Sequence, residues 1–87
     1  MVIVTTTYKV KQGTRDKVLQ ICRASRLHAR TLKGNIEYMA MPSVNEDEIF
    51  SIEKWEEKEQ LEAYCESDAC RTFIEKRAPF LVEGSKI

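Results

Sequence analysis

Few side chains in this sequence could carry chemistry: one histidine, a carboxylate inside an apolar strand, three phenols and three thiols. His28 follows Ser25 by three residues on a helical stretch. A Ser–His pair is the start of a nucleophilic arrangement, yet no carboxylate is placed beside it to orient the ring. His28 is therefore either an acid or base of a pocket or a surface histidine. Glu53 lies in the alternating run Ile49–Trp55, on the strand face that also carries Trp55. Buried there, it would have a raised pKa and could accept a proton. Pairing with Arg30 or Lys54, or a hydrogen bond at a subunit contact, is the structural alternative. Tyr64 can donate to a phenolate or stack on a flat ring, or it can simply pack a short amphipathic helix. Tyr38 carries the same two readings, and Trp55 is either pocket wall or core. Cys22, Cys65 and Cys70 are odd in number and lack CxxC spacing, which fits reduced, buried thiols better than disulfides.

Several chemistries drop out. Gly13, Gly34 and Gly84 are the only glycines, and they form no phosphate-cradling loop or dinucleotide fingerprint. One histidine and unpaired cysteines supply no zinc or haem ligand set, so no metal is expected. Glu46-Asp47-Glu48 lacks the ligand spacing of a calcium loop and reads as a solvated turn.

The elements that must position these groups follow from periodicity. Val2–Lys11 is β-branched and apolar on both alternating faces, a strand covered on two sides. Gln12-Gly13 turns the chain, Thr14 stands at an N-cap position, and Arg15 to about Leu32 has helical period. Its stripe is Val18, Cys22, Ser25, Ala29 and Leu32, and Gly34 suits a left-handed turn after it. Asn35–Met41 is a second strand, Pro42–Glu48 a polar connection, and Ile49–Trp55 a third strand. Glu57–Cys65 forms a short helix, and Ser67 caps another, Asp68–Ala78, with Cys70, Phe73, Ile74 and the stem of Arg77 turned inward. Phe80–Val82 with Ile87 gives a last short strand. The order β-α-β-β-α-β is a ferredoxin-like split α+β arrangement, an antiparallel sheet with helices on one face. The other face then needs cover, and a second copy of the chain supplies it.

At 87 residues this is one domain, 1–87, with a radius of gyration of roughly 12 Å expected. A core this thin favours oligomerisation. The 43% hydrophobic and 32% charged content fits a folded globular chain. Net charge is zero but uneven: eight basic residues against Asp16 alone up to Gly34, then six basic against thirteen acidic. We read this as a basic helix beside an acidic one, or facing it across a dimer, and not as nucleic-acid binding. No apolar run approaches a membrane span, and Met1–Val10 does not read as a signal peptide, so a cytoplasmic location is expected.

A first strand ending in VKQG, a helix, then GNIEY, IFSIEKW and LEAYCES…F form an ordered set over nearly the whole chain. The set resembles the antibiotic biosynthesis monooxygenase family of the dimeric α+β barrel superfamily. Gly13, Gly34, Tyr38, Glu53, Trp55, Leu61, Ser67 and Phe73 fall where that pattern has equivalents. The resemblance implies a homodimeric barrel and a cofactor-independent monooxygenase using dioxygen on a small aromatic or quinol. A non-catalytic binding or structural dimer and a small-molecule isomerase are the alternatives on the same fold. Where the family often has histidine, this chain has Tyr64 and Ala69; where its haem enzymes carry a strand asparagine, it has Thr6. The site so implied comprises Tyr64, Glu53 and His28 as catalytic groups, with Trp55, Tyr38 and Thr6 around the substrate.

Overall fold

The computed structural model describes residues Met1–Val82. Its elements are β1 (Val2–Lys9), α1 (Arg15–Ala29), β2 (Asn35–Pro42), β3 (Glu48–Trp55), α2 (Lys58–Cys65) and α3 (Asp68–Arg77). One turn of 3-10 helix, Ala78–Phe80, follows. The three strands form one antiparallel sheet in the order β1-β3-β2. The expected last strand is reduced to its first step. Leu81 bridges Val10, with Lys11 N donating to the Phe80 carbonyl and Val82 N to that of Lys9. Pro79 within the 3-10 turn delays extension until Leu81. Ile87, assigned to the same strand, lies outside the described residues.

The helices cover one sheet face only. Val2, Val4, Thr6 and Tyr8 of β1 face them, and register puts Trp55, Glu53, Ser51 and Ile49 of β3 beside these residues. The opposite face carries Ile3, Thr5 and Thr7 against Lys54, Ile52 and Phe50, with Met39 and Met41 of β2 alongside. Ile3 there is 53% exposed, so the two-sided apolar character of β1 is real but only one side is covered within the chain. Trp55, Ile49, Val10 and Val18 are the largest fully buried side chains, each contributing about 1.5–3 kcal/mol by leaving water.

α1 ends at Ala29, three residues earlier than its apolar stripe implies. The Thr31 amide and hydroxyl both donate to the His28 carbonyl, and Leu32 N bonds the Ala29 carbonyl three residues back. This tightens and closes the last turn. Within the described chain Arg15, Arg26 and Arg30 do not meet an acidic helix, one of the two arrangements that the charge asymmetry implied. Arg15 donates to the carbonyls of Ser43, Asn45 and Glu48, and Arg26 Nε to that of Tyr38 at 2.8 Å. Arg30 donates to the Ile36 carbonyl. Basic side chains therefore tie α1 to the backbone of β2 and of the loop after it, with Arg26–Glu37 at 3.7 Å as an added ion pair. Thr14 occupies the N-cap position of α1 but its hydroxyl donates backward to the Lys11 carbonyl. Ser67 behaves as expected: it accepts from Cys70 N at the start of α3 and donates to the Tyr64 carbonyl, joining α2 to α3. Among the described residues no helix is long and apolar enough to cross a membrane.

Gly34 holds the entry to β2 against the start of α2. Its φ is +90°, its carbonyl accepts from Glu56 N at 2.8 Å, and a Cβ there would collide with the amide of Gln60. That amide accepts from Glu57 N as half of a capping box. Gly34→Ala should therefore combine left-handed strain with loss of this cap and cost about 2 kcal/mol or more. Thermal melts check it: the midpoint should fall, and Gln60→Ala in the same chain should recover part of the loss. An unchanged midpoint would contradict the packing described.

Candidate functional site

The site arises from a shortage of side-chain volume. One rank of the sheet, Thr6–Ser51–Ala40, is small at all three positions. The neighbouring ranks are large: Tyr8 with Ile49 on one side, Val4–Glu53–Tyr38 on the other. α3 packs on α1 and α2 and stands off from the strands. Between them lies a cavity of about 270 Å³, close to the lower end of the range of roughly 300–1,000 Å³ for small-molecule sites. Its floor is the small rank, and it separates two apolar clusters, one around Tyr8, Val18, Cys22 and Ile49 and the other around Tyr38, Trp55, Tyr64 and Ala29.

At the Glu53 end, three hydroxyls form a closed triangle. Ser25 Oγ is 3.0 Å from both Tyr38 Oη and Tyr64 Oη, and Tyr64 Oη donates to Tyr38 Oη at 3.1 Å. The two phenol rings meet edge to face at 5.7 Å, and Trp55 lies 5.6 Å from Tyr64 on its other side. In such a ring each hydroxyl donates once and accepts once, so turning one toward the cavity breaks one contact. Glu53 accepts from Trp55 Nε1 at 3.0 Å. Burial pushes the Glu53 carboxyl above the ordinary carboxylate range, and the indole hydrogen bond pulls it partly back. Burial likewise raises the phenols of Tyr38 and Tyr64, which stay protonated at neutral pH. The cavity thiols of Cys22, Cys65 and Cys70 are raised for the same leading reason. Among the described residues Glu53 is thus the one carboxylate in the wall, and Arg77 the one cation.

The structure brings together four of the six residues singled out from sequence: Glu53, Tyr38, Tyr64 and Thr6 all line the cavity. Trp55 stands one layer behind, 1% exposed, and acts on the cavity through Glu53 and Tyr64. His28 is on the exposed side of α1, outside the cavity wall, because Ser25 and Ala29 occupy the inward positions of that turn. Glu53 pairs with neither Arg30 nor Lys54, since Arg30 bonds the backbone of β2 and Lys54 points to the opposite sheet face. Two residues carry more than the sequence reading gave them. Ser25 links the phenols, and a hydroxyl in an otherwise apolar helical stripe was its signal. Arg77 is buried to its head and not only along its stem. All three cysteines are free, with Cys22 and Cys70 buried and Cys65 exposed. No group of His, Cys, Asp and Glu among the described residues could hold a metal ion.

A split α+β sheet with helices on one face and a cavity between β3 and the last helix defines a class of small ferredoxin-like domains. Within that class the chain belongs to the antibiotic biosynthesis monooxygenase family, whose model matches residues 1–76. Its backbone is similar to that of a candidate antibiotic biosynthesis monooxygenase from Deinococcus radiodurans, with a TM-score of 0.89 at 15% identity, covering 99% of this chain and 86% of that one. A candidate member from Nitrosomonas europaea gives 0.88 at 15% identity over 97% and 82%. A Bacteroides thetaiotaomicron protein of unknown function, described as a possible oxidoreductase, gives 0.84 at 16% over 97% and 88%. At these identities the likeness establishes the fold alone. No curated protein matches the sequence.

The raised pKa of Glu53 makes a stability prediction with a definite sign. A carboxyl that holds its proton more tightly when folded favours the folded state at low pH. That contribution is lost as pH rises from the unfolded value, about 4.3, through the folded one. Glu53→Gln, which keeps an acceptor for Trp55, should melt above the unaltered protein at pH 7 and converge with it near pH 4. Parallel melts at the two pH values check this; a variant less stable at pH 7 would mean that the ionised carboxylate is favoured in place.

Proposed function

We propose that this protein is a homodimeric, cofactor-independent monooxygenase of a small aromatic or quinol-type compound. The observation that carries the reading is the setting of Glu53: a half-buried carboxylate of raised pKa in the wall of a largely apolar cavity, beside two phenols. An electron-rich phenol becomes a reductant of dioxygen once its proton is removed. The protein then has three tasks: hold the flat ring, accept the proton and keep water out. The Thr6–Ser51–Ala40 floor receives the ring, and ionised Glu53 takes the hydroxyl proton. Tyr64, by opening the hydroxyl triangle, donates to the developing oxyanion. The substrate supplies the electrons; one oxygen atom of dioxygen forms a new C–O bond and the other leaves as water. A quinol thereby becomes a hydroxyquinone with atoms and electrons balanced. The exposed apolar face of the sheet, Ile3, Phe50, Ile52 and Met41, supports a second copy packed across it.

The closed hydroxyl triangle, with no histidine at the cavity, favours a second reading: a domain that binds aromatics without turning them over. Oxygen uptake with quinols, anthrones and catechols separates the two. The enzyme reading expects consumption above the buffer rate, rising with pH as Glu53 ionises. Glu53→Gln should lower turnover at least tenfold, within the usual range for losing a general base, and Tyr64→Phe should lower it less. No uptake, together with saturable quenching of Trp55 fluorescence by the same compounds, selects the binding reading. Ala40→Leu, which fills the floor, should abolish quenching in either case while the chain stays folded. Sedimentation showing a monomer at micromolar concentration would remove the dimer.

A further inference from the structure

Arg77 is 3% exposed, and its Nε and Nη2 are buried with no hydrogen-bond partner among the described residues. Both nitrogens belong to a side chain that forms part of the cavity wall. The guanidinium carbon lies 4.7 Å from the Tyr8 ring centroid and 4.5 Å from that of Phe73. Those aromatic contacts hold the cation without giving Nε or Nη2 a hydrogen-bond acceptor. The described ion pairs use Arg26, Lys58 and Arg71, so no acid of the described chain neutralises Arg77. An uncompensated buried charge is costly to keep, and a chain that needed only packing here would do better with an apolar residue of similar size. Nε and Nη2 form the edge of the guanidinium that presents two parallel N–H bonds, the fork that fits a carboxylate; neither has surface open to the cavity, so a ligand engages the fork as the Arg77 head turns toward it.

We propose that Arg77 makes this cavity a site for an aromatic carboxylate, with the acid group received by the guanidinium and the ring over the Thr6–Ser51–Ala40 floor. The inference rests on the reading that the cavity takes a small aromatic, and it names the class. Tyr8, whose ring lies against Arg77, and the Val4–Glu53 rank are four residues apart along β1, about 13 Å. A ligand anchored by its acid group at Arg77 therefore points its far end toward Glu53 and Tyr64. A para-hydroxylated ring places its phenol there. A cavity of about 270 Å³ holds the volume of about nine waters, enough for a substituted ring.

The test is calorimetric titration of the full-length protein at pH 7 with 4-hydroxybenzoate and 4-hydroxybenzamide, which share shape and differ in charge. The acid should bind roughly 10- to 100-fold more tightly, and the Arg77 Nε–H resonance should shift as it does. Arg77→Met should bind the two equally and melt no lower than the unaltered protein. Arg77→Lys, which keeps the charge without the fork, should show a reduced preference and serves if the methionine variant does not fold. Equal affinity of the unaltered protein for both probes overturns the role of Arg77 while leaving the aromatic cavity standing. Binding of neither overturns both. A preference for the acid that survives Arg77→Met also overturns it, because the charge being read would lie elsewhere.

Discussion

The register of β3 against its two neighbours is the constraint on which the site depends. Val4–Glu53–Tyr38 and Thr6–Ser51–Ala40 face the helices only because β3 pairs with both partners in one alignment. A slip of one residue would send Glu53 and Ser51 to the far side and bring Ile52 and Lys54 into the core. The alternation of apolar side chains and the turns at each end of the strand hold that alignment. Trp55 locks its last step: the indole fills the core beneath α2, and its N–H satisfies Glu53. An acid inside a strand becomes tolerable because the adjacent large apolar residue brings its own donor.

The helices respond to this sheet in a way that creates space. α1 is fastened to β2 and to the loop after it by arginines that donate to backbone carbonyls, while α3 packs mainly on α1 and reaches the sheet through side chains such as Cys70, Phe73 and Arg77. The cavity is thus a by-product of two choices made in different parts of the chain: small residues at Thr6, Ser51 and Ala40, and a last helix supported from the side. Its two charged groups, Arg77 and Glu53, stand toward opposite ends with small side chains between them, the arrangement expected of a site that orients a flat molecule.

Much of this was legible in the sequence because local periodicity carries it. The strand–helix–strand–strand order, Ser67 as a cap, the inward face of α1 and the strand face that Glu53 shares with Trp55 all follow from spacing, whereas spacing leaves Tyr38 and Tyr64 open between cavity and core. The remainder depended on relations that spacing does not encode. Arg77 reads as a side chain that buries its stem and frees its head, since that is what long basic residues do at surfaces; only the flanking Tyr8 and Phe73 show the head enclosed. The emptiness above Ala40 requires knowing which three residues share a rank. His28 drew attention as a rare residue type, yet its helix turn spends its inward positions on Ser25 and Ala29.

Because β3 presents alternate residues to opposite sides, its eight positions hold two interleaved messages. Ser51 and Glu53 write the shape and polarity of the cavity, while Phe50 and Ile52 write the outer surface. Neighbouring codons can therefore drift under unrelated selection, one set answering to a ligand and the other to whatever lies against the sheet. The two are joined only through the backbone between them, so that pressure on the outer face reaches the cavity as a change in strand twist and not as a change in side-chain identity.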